Sequence, residues 1–168
     1  IKNGIHCTTG SLGHGLPIAV GSAYRRKHLH SSQNTFCVIG DGEFQEGSIL
    51  ESLMFLSEHS NLNLKLLIDC NGFKTFEGQT PTADCYSSIL RSMFSDDIID
   101  ISIDSIESLA TLASLADQPG LAIVLCRVPK GIGINEFIQD PSKWHASIPS
   151  NADHLNNLLS QINYDDFS

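Results

Sequence analysis

Two short polar segments, Gly40-Asp41-Gly42 and Asn71-Gly72-Phe73, each follow a run of apolar residues and carry oxygen atoms suited to a cation. A carboxylate, an amide oxygen and a backbone carbonyl are hard donors, which Mg²⁺ takes together with water and substrate phosphates. The glycines let the backbone approach a phosphate closely. The two segments therefore indicate a Mg²⁺–phosphate site, provided that the fold brings Asp41 and Asn71 together.

The elements around these segments predict how they meet. The apolar runs predict strands over residues 35–40 and 64–70, and the residues between them predict a helix over 44–60. Such a unit is a right-handed parallel crossover, which puts both strand ends on one edge of a sheet. Open α/β sheets bind ligands at that edge. Taken alone, Asp41 is more simply explained as a helix cap and Asn71 as a left-handed turn residue.

The rest of the chain continues the alternation of helix and strand. Further helices are predicted over residues 12–29, 84–94, 105–116 and 151–162, and further strands over 98–103 and 121–128. Loops are predicted over residues 71–83 and 129–150. The pattern predicts one domain of the α/β class, with a doubly wound, mostly parallel sheet and helices on both faces.

Three blocks of sequence together resemble the transketolase family of thiamine diphosphate-dependent enzymes. They are GDGEFQEGS at 40–48 closed by DCNG at 69–72, TTGSLGHGLP at 8–17, and KGIG at 130–133 followed by Trp144-His145. A Gly-Asp-Gly triplet alone is a weak signal. Three blocks in this order and spacing are specific, and the resemblance extends over residues 4–149. It implies the thiamine diphosphate-binding fold.

The resemblance also implies which residues contact the cofactor. Asp41, Asn71 and the Phe73 carbonyl would bind Mg²⁺, or Ca²⁺ or Mn²⁺ in its place. The other implied contacts with thiamine diphosphate come from the early loop, the residues around Asp41 and the late loop: Gly10, Ser11, Leu12, Gly40, Gly42, Glu43 and His145. From the residues alone, Glu43 is explained as well by the helix dipole, and His145 by loop packing.

Three residues are implied to act in catalysis. His145 would reach the diphosphate and the reacting substrate, while Glu46 and Glu51 occupy positions that line a channel between the two active sites of transketolase-like dimers. Neighbouring carboxylates in such a channel share protons. The implied reaction is transfer of a two-carbon ketol unit between sugar phosphates, as in the pentose phosphate pathway, with the cofactor as electron sink.

In this family, the glutamate that activates the aminopyrimidine belongs to a separate pyrimidine-binding module, and we recognise no such module here. We therefore expect residues 1–168 to be one diphosphate-binding module without the family's N-terminal segment. It would work with a pyrimidine-binding module or subunit, in a homodimer or a heterotetramer.

Other functions are open. One is another thiamine enzyme, a deoxyxylulose phosphate synthase or a 2-oxo acid dehydrogenase component. A second is a non-catalytic homologous subunit, motivated by the block Ser102–Ser105, where the family usually has Asp-Gly-His-Asp. A third is a NAD-binding domain, but Gly10, Gly13 and Gly15 stand in the wrong order for that motif and follow a polar stretch.

Composition and charge exclude several classes of protein. The 168 residues are 41% hydrophobic and 17% charged, with a net charge of −9. That balance is typical of a globular domain, and the negative charge argues against nucleic acid as a partner. The five cysteines include no Cys-x-x-Cys pair, which favours a reducing cytoplasmic location. No apolar run is long enough to span a membrane, so we expect no membrane partner.

Overall fold

A parallel sheet of four strands, in the order β1-β2-β6-β5, forms the centre of the described residues. The computed structural model describes residues 5–74, 78–79, 83–94, 98–104 and 106–162. Its strands are β1 (Thr35–Gly40), β2 (Leu64–Cys70), β3 (Phe73–Lys74), β4 (Gly78–Gln79), β5 (Ile98–Ser102) and β6 (Ala122–Arg127). The short strands β3 and β4 pair with each other and run antiparallel.

Helices precede the first of these strands, connect the strands of the parallel sheet and follow the last strand. They are α1 (Gly15–His28), α2 (Gly47–Glu58), α3 (Ala83–Phe94), α4 (Ile106–Ala116), α5 (Asn135–Gln139) and α6 (Ala152–Leu159). From β1 through α2 to β2, and from β2 through α3 to β5, the chain moves in one direction across the sheet. It then returns through α4 to β6, so the right-handed crossover rule puts α4 on the opposite face. The α/β class and the parallel, doubly wound sheet are therefore confirmed.

The predicted crossover is confirmed in detail on its strands. Strands β1 and β2 have the predicted bounds, and they pair in parallel from Thr35 opposite Leu64 to Gly40 opposite Asp69. The predicted final helix is also present as α6. The Asn151 side chain caps its first turn by accepting a hydrogen bond from the His154 amide at 2.8 Å. The predicted start of the fourth helix at Ser105 lies outside the described residues.

Two predicted helices begin later than expected. The helix predicted from residue 12 begins at Gly15, because the chain first turns through Gly13 with a φ of +80°. The helix predicted over 44–60 is broken in two: a 3-10 turn at Glu43–Gln45 and then α2. The break lies at Glu46, whose backbone is extended with a ψ of 137°.

The two predicted loops contain secondary structure that the sequence pattern did not indicate. Residues 71–83 include the β3–β4 hairpin, and residues 129–150 include α5 and a 3-10 turn at Lys143–His145. All four elements have five residues or fewer. Elements this short carry little periodicity, so only their packing identifies them.

The core lies between the sheet and the helices α1, α2 and α3. It contains fully buried side chains from each layer, including Leu16, Leu53, Leu66, Leu90 and Leu125. The opposite face is less covered at the edge strand β1, where Phe36 and Val38 are 53% and 69% exposed. The two faces of the sheet are thus unequally covered.

No helix among the described residues is long and apolar enough to cross a membrane. The longest of them, α1, has 14 residues, whereas a spanning helix needs about 20.

Candidate functional site

The carboxyl ends of β1 and β2 bring Asp41 and the segment after β2 together. The Asp41 amide donates to the Asp69 carbonyl at 3.1 Å, which extends the strand pairing by one residue. The Asp41 carboxylate then accepts a hydrogen bond from the Gly72 amide, with 2.6 Å between Oδ2 and N. The predicted approach of Asp41 to the Asn71–Gly72 turn is confirmed.

Asn71 adopts a turn that fixes both ends of its amide group. Its Oδ1 accepts from the Phe73 amide at 3.0 Å, and its Nδ2 donates to Asp69 Oδ2 at 2.9 Å. The left-handed residue of the turn is Gly72, with a φ of +82°, rather than Asn71. Since Nδ2 donates to the Asp69 carboxylate, Oδ1 is the amide atom of Asn71 that faces the backbone at the start of β3.

Asp41 does not act as the helix cap that it resembles when taken alone. The 3-10 turn after it begins at Glu43, with Gly42 as its N-terminal cap residue and no side-chain cap, and α2 after it has no side-chain cap either. Instead the Asp41 carboxylate, with only 2% of the residue exposed, points across to the turn after β2. The carboxylate therefore joins the segments that follow β1 and β2, and its role as a cation ligand stays a prediction.

Asp69 adds a second carboxylate to this edge. Burial raises the pKa of Asp69; the Asn71 hydrogen bond opposes that rise, the Asp41 charge reinforces it and the Lys130 charge opposes it. Its Oδ1 is buried and has no hydrogen-bond partner among the described residues. Buried polar atoms are nearly always paired. Two neighbouring carboxylates with an unpaired oxygen form a site that a cation would stabilise.

The donor set fits Mg²⁺. Mg²⁺ is usually held by one or two carboxylates while phosphates and water complete its octahedron. Asp41 would supply the carboxylate, Asn71 the amide oxygen and Phe73, the first residue of β3, a backbone carbonyl. The described residues contain no group of three His, Cys, Asp or Glu side chains able to hold a metal.

Three residues outside the predicted site also reach this edge: Asp69, Tyr86 and Lys130. Tyr86 is buried on α3 and donates from its hydroxyl to the Asp41 carbonyl at 3.0 Å. The Lys130 charge acts on Asp69. Strand alternation, which puts residues 69 and 71 on one side, could have identified Asp69. Lys130 begins the third block, whereas nothing in the sequence pointed to Tyr86.

The thiols near this edge do not provide a nucleophile. Cys70, the last residue of β2, is half-buried, and burial together with the nearby carboxylates raises its pKa to about 12. Burial and Asp69 likewise raise the pKa of Cys126 on β6 to about 11. A thiol rather than a thiolate is present at neutral pH, so neither is reactive. The chemistry of this edge depends on oxygen atoms.

The early block lies beside the segment that follows Asp41. Its predicted cofactor residues Gly10, Ser11 and Leu12 are all exposed. Glu43 accepts from the Gly13 amide, with 2.9 Å between Oε1 and N. The structure thus brings the early loop, Glu43 and the Asp41 segment together, as the predicted site requires.

Glu46 and Glu51 are both exposed, the first as the N-terminal cap residue of α2 and the second within it. Glu51 lines a groove of 510 Å³ between α1 and α2, opposite residues such as His14 and Tyr24. Both carboxylates are therefore open to solvent or to another chain, and their catalytic role stays a prediction.

His145 lies in the 3-10 turn after α5, with its Nδ1 buried. The Trp144 ring beside it packs against Phe137 at 4.6 Å and against His154 at 5.7 Å between ring centres. His154 in turn lies 3.1 Å from a Glu136 carboxylate oxygen. These contacts tie the segment to α5 and α6, and the cofactor and catalytic roles of His145 stay predictions.

Comparison with known proteins identifies the family of this domain. Residues 1–131 match the family model described as "Transketolase, thiamine diphosphate binding domain". The matched region contains the loops after β1 and β2 and the early block.

Individual relatives agree with that match. The chain is 31% identical over 149 residues to an apulose-4-phosphate transketolase subunit of Actinobacillus succinogenes, covering 87% of this chain and 53% of that protein. It is 33% identical over 164 residues to human transketolase, covering 92% of this chain and 25% of that one. The transketolase structure from Leishmania mexicana superposes with a TM-score of 0.63 at 24% identity, over 79% of this chain and 22% of that chain. The chain thus spans about half of the bacterial relative and a quarter of the human enzyme.

Proposed function

Because the chain belongs to the transketolase family, whose thiamine diphosphate-binding domain matches residues 1–131, we propose that it binds thiamine diphosphate through Mg²⁺ at the edge where β1 and β2 end. The contact that carries the proposal is the 2.6 Å hydrogen bond from the Gly72 amide to Asp41. It brings the two halves of the predicted site within reach of one ion. Ca²⁺ or Mn²⁺ could replace Mg²⁺, since all three accept oxygen ligands.

Around the ion, different segments take different parts of the cofactor. Asp41, Asn71 and the Phe73 carbonyl hold the metal. Gly40, Gly42, Glu43 and His145 surround the diphosphate, and Gly10, Ser11 and Leu12 approach the diphosphate and the aminopyrimidine. Support comes from the bond between Glu43 and the Gly13 amide, which ties the early loop to a residue of the diphosphate group.

The proposed reaction is transfer of a two-carbon ketol unit between sugar phosphates. Thiamine diphosphate supplies the carbanion and the electron sink when it is bound. The chain's part is to hold the diphosphate, to exclude water from the edge of β1 and β2, and to present His145 to the substrate. A transferase function of this kind, in the pentose phosphate pathway and in the cytoplasm, is consistent with the family and with the free cysteines.

Residues 1–168 form one diphosphate-binding module in this proposal, and activity needs a pyrimidine-binding module or subunit. The length comparison supports it, because a relative that is itself one subunit of a transketolase is matched over 53% of its length. The exposed side of α2 supports contact with another chain. Leu50 and Met54 are 50% and 57% exposed beside Glu51, and contact with another chain would bury this apolar surface. A homodimer or a heterotetramer would place Glu46 and Glu51 between active sites.

The first test is native mass spectrometry of the protein isolated with Mg²⁺ present. We expect a complex with a second module and one thiamine diphosphate per site. Ketose phosphates and pyruvate, assayed in parallel, separate transketolase activity from that of the other thiamine enzymes. Assembly without bound cofactor, even after thiamine diphosphate and Mg²⁺ are added, would overturn the proposal and favour a non-catalytic role.

A further inference from the structure

The peptide group of Gly13 is held from both sides by residues that follow Asp41. Its amide donates to Glu43 Oε1 at 2.9 Å, and its carbonyl accepts from the Ser48 hydroxyl at 2.7 Å. Glu43 belongs to the 3-10 turn and Ser48 to the first turn of α2. We call this pair of side chains the Gly13 clamp.

The clamp requires glycine at position 13. The residue has a φ of +80°, a conformation that side chains disfavour. A Cβ built there would lie 2.5 Å from Ser48 Oγ and 2.7 Å from Glu46 Cβ, closer than any packed contact. The backbone of the early block therefore lies directly against the start of α2, and no larger residue fits between them.

The segment before Gly13 has little else to hold it. Residues 5–12 are exposed throughout. Among the described residues, its one backbone hydrogen bond outside helices and strands joins the His14 amide to the Ser11 carbonyl at 3.3 Å. The position of Gly10, Ser11 and Leu12 thus depends on the clamp just after them.

We propose that Glu43 and Ser48 are positioning residues that fix the Gly10–Leu12 loop relative to Asp41. This inference rests on the proposed function, in which that loop and Asp41 bind two parts of one cofactor. Glu43 follows Asp41 by two residues, so the clamp makes the cation segment and the early loop one rigid unit. Preorganisation of this kind increases affinity because the loop is ordered before the ligand arrives.

Helix-dipole complementation by Glu43 is the competing explanation, and the two differ in what they require. A dipole effect needs only a negative charge near the first turn. The clamp needs an acceptor atom at the Gly13 amide and a hydroxyl donor at its carbonyl. Glu43→Gln keeps an acceptor and removes the charge, while Ser48→Ala leaves the charge and removes the donor.

The experiment is hydrogen exchange of the Gly13 amide in the full chain as it is isolated. We expect Glu43→Ala to speed exchange about tenfold to a hundredfold, the factor that a hydrogen bond to a charged group is worth. Glu43→Gln should lie between Glu43→Ala and the wild type, and Ser48→Ala should also speed exchange. Glu58→Ala, which removes an exposed carboxylate from the last residue of α2, is the matched control and should leave Gly13 unchanged.

Binding of thiamine diphosphate with Mg²⁺ is the second readout. Affinity should fall in the same order as protection is lost, with Glu58→Ala like the wild type. Unchanged Gly13 exchange in Glu43→Ala would overturn the clamp, and faster exchange with unchanged affinity would overturn its positioning role. If Glu43→Ala does not fold, Glu43→Gln and Ser48→Ala decide by the same criteria. A wild type that binds no cofactor would refute the proposed function, while Gly13 exchange would still test the clamp.

Discussion

Strand β2 carries a charged residue near each end, Lys65 and Asp69, and the two side chains differ in how fully they are hydrogen-bonded. Both side chains project from the same face, since they are four residues apart along a strand. Lys65 is 3% exposed and donates from its ammonium to the Gly120 carbonyl at 2.8 Å. Asp69 has one carboxylate oxygen bonded to Asn71, and the other is buried with no hydrogen-bond partner among the described residues.

This difference in hydrogen bonding indicates which end of β2 is suited to bind a ligand. At the amino end, the Gly120 amide also donates to Asn63 at 2.7 Å, so polar groups there satisfy one another. At the carboxyl end, Asp69 lies near Asp41, another carboxylate. An excess of negative charge in a partly buried place is costly without a cation. The end with unbalanced charge is also the end where parallel sheets bind ligands.

A third carboxylate shows that this imbalance is local. Asp100, on β5, receives hydrogen bonds from Arg127 at 2.7 and 2.8 Å. Those bonds lower the pKa of Asp100, whereas burial raises the pKa of Asp69. Arg127 thus neutralises the carboxylate within β5, whereas the two carboxylates at the ends of β1 and β2 lie beside each other.

The largest expected effect is that of Asp41→Asn. The change removes the charge and keeps an oxygen that can accept from the Gly72 amide. We expect Mg²⁺-dependent binding of thiamine diphosphate to weaken by more than about 100-fold, beyond the range typical of outer-shell partners. Isothermal titration calorimetry measures this. Asp117→Asn, at an exposed position after α4, removes the same charge as a control, and an Asp41→Asn affinity like that of the control would show that Asp41 is not a ligand.

Asp69→Ala tests the carboxyl end of β2, because the Asp69 carboxylate accepts a hydrogen bond from the Asn71 side chain. Loss of the acceptor frees the Asn71 amide, so Mg²⁺ affinity at saturating thiamine diphosphate should fall about 10- to 100-fold. Asp69→Asn retains an oxygen acceptor and should lose less. Mg²⁺ titrations of both variants measure this affinity. An Asp69→Ala affinity equal to that of the wild type would show that the unpaired charge at this end of β2 has no role in binding Mg²⁺.

Lys65→Met tests the amino end of β2, where the polar groups satisfy one another. The change keeps the length of the side chain but leaves the Gly120 carbonyl without its donor, so the free energy of unfolding should fall by about 1–3 kcal/mol. Urea unfolding measures the loss. Cofactor affinity should stay at the wild-type value, and a loss as large as that of Asp69→Ala would mean that the two ends are not distinct.

The smallest effect is the pH dependence contributed by Asp100. Because the folded-state pKa is lowered, its stabilisation is present above the ordinary carboxyl value of about 3.9 and is lost as the pH falls through the folded pKa. Arg127 is 37% exposed, so solvent screening limits the contribution to under about 1 kcal/mol. In urea unfolding, the free energy of unfolding should fall less between neutral and acidic pH in Arg127→Gln than in the wild type or in the exposed control Arg25→Gln. The same pH dependence in all three proteins would contradict this prediction.

Much of the site could be predicted because its local signals are strong. Apolar runs ending in Gly-Asp-Gly and Asn-Gly-Phe predicted β1 and β2 within their observed bounds. Parallel crossover geometry then predicted that Asp41 meets the Asn71 turn, as the structure confirms. The break at Glu46 and the β3–β4 hairpin could not be predicted, since neither changes the periodicity of the sequence over more than a few residues.

The sequence by itself determined the strand–helix alternation and the two segments that end the strands, because periodicity and turn residues act over neighbouring positions. Only the tertiary structure decided which charges share an edge. Asp69 lies beside Asp41 and Asp100 beside Arg127 because of the strand order β1-β2-β6-β5. Likewise, the bonds of Gly13 to Glu43 and Ser48 span 30 and 35 residues. Contacts at that separation form only when whole elements pack, and no local preference encodes them.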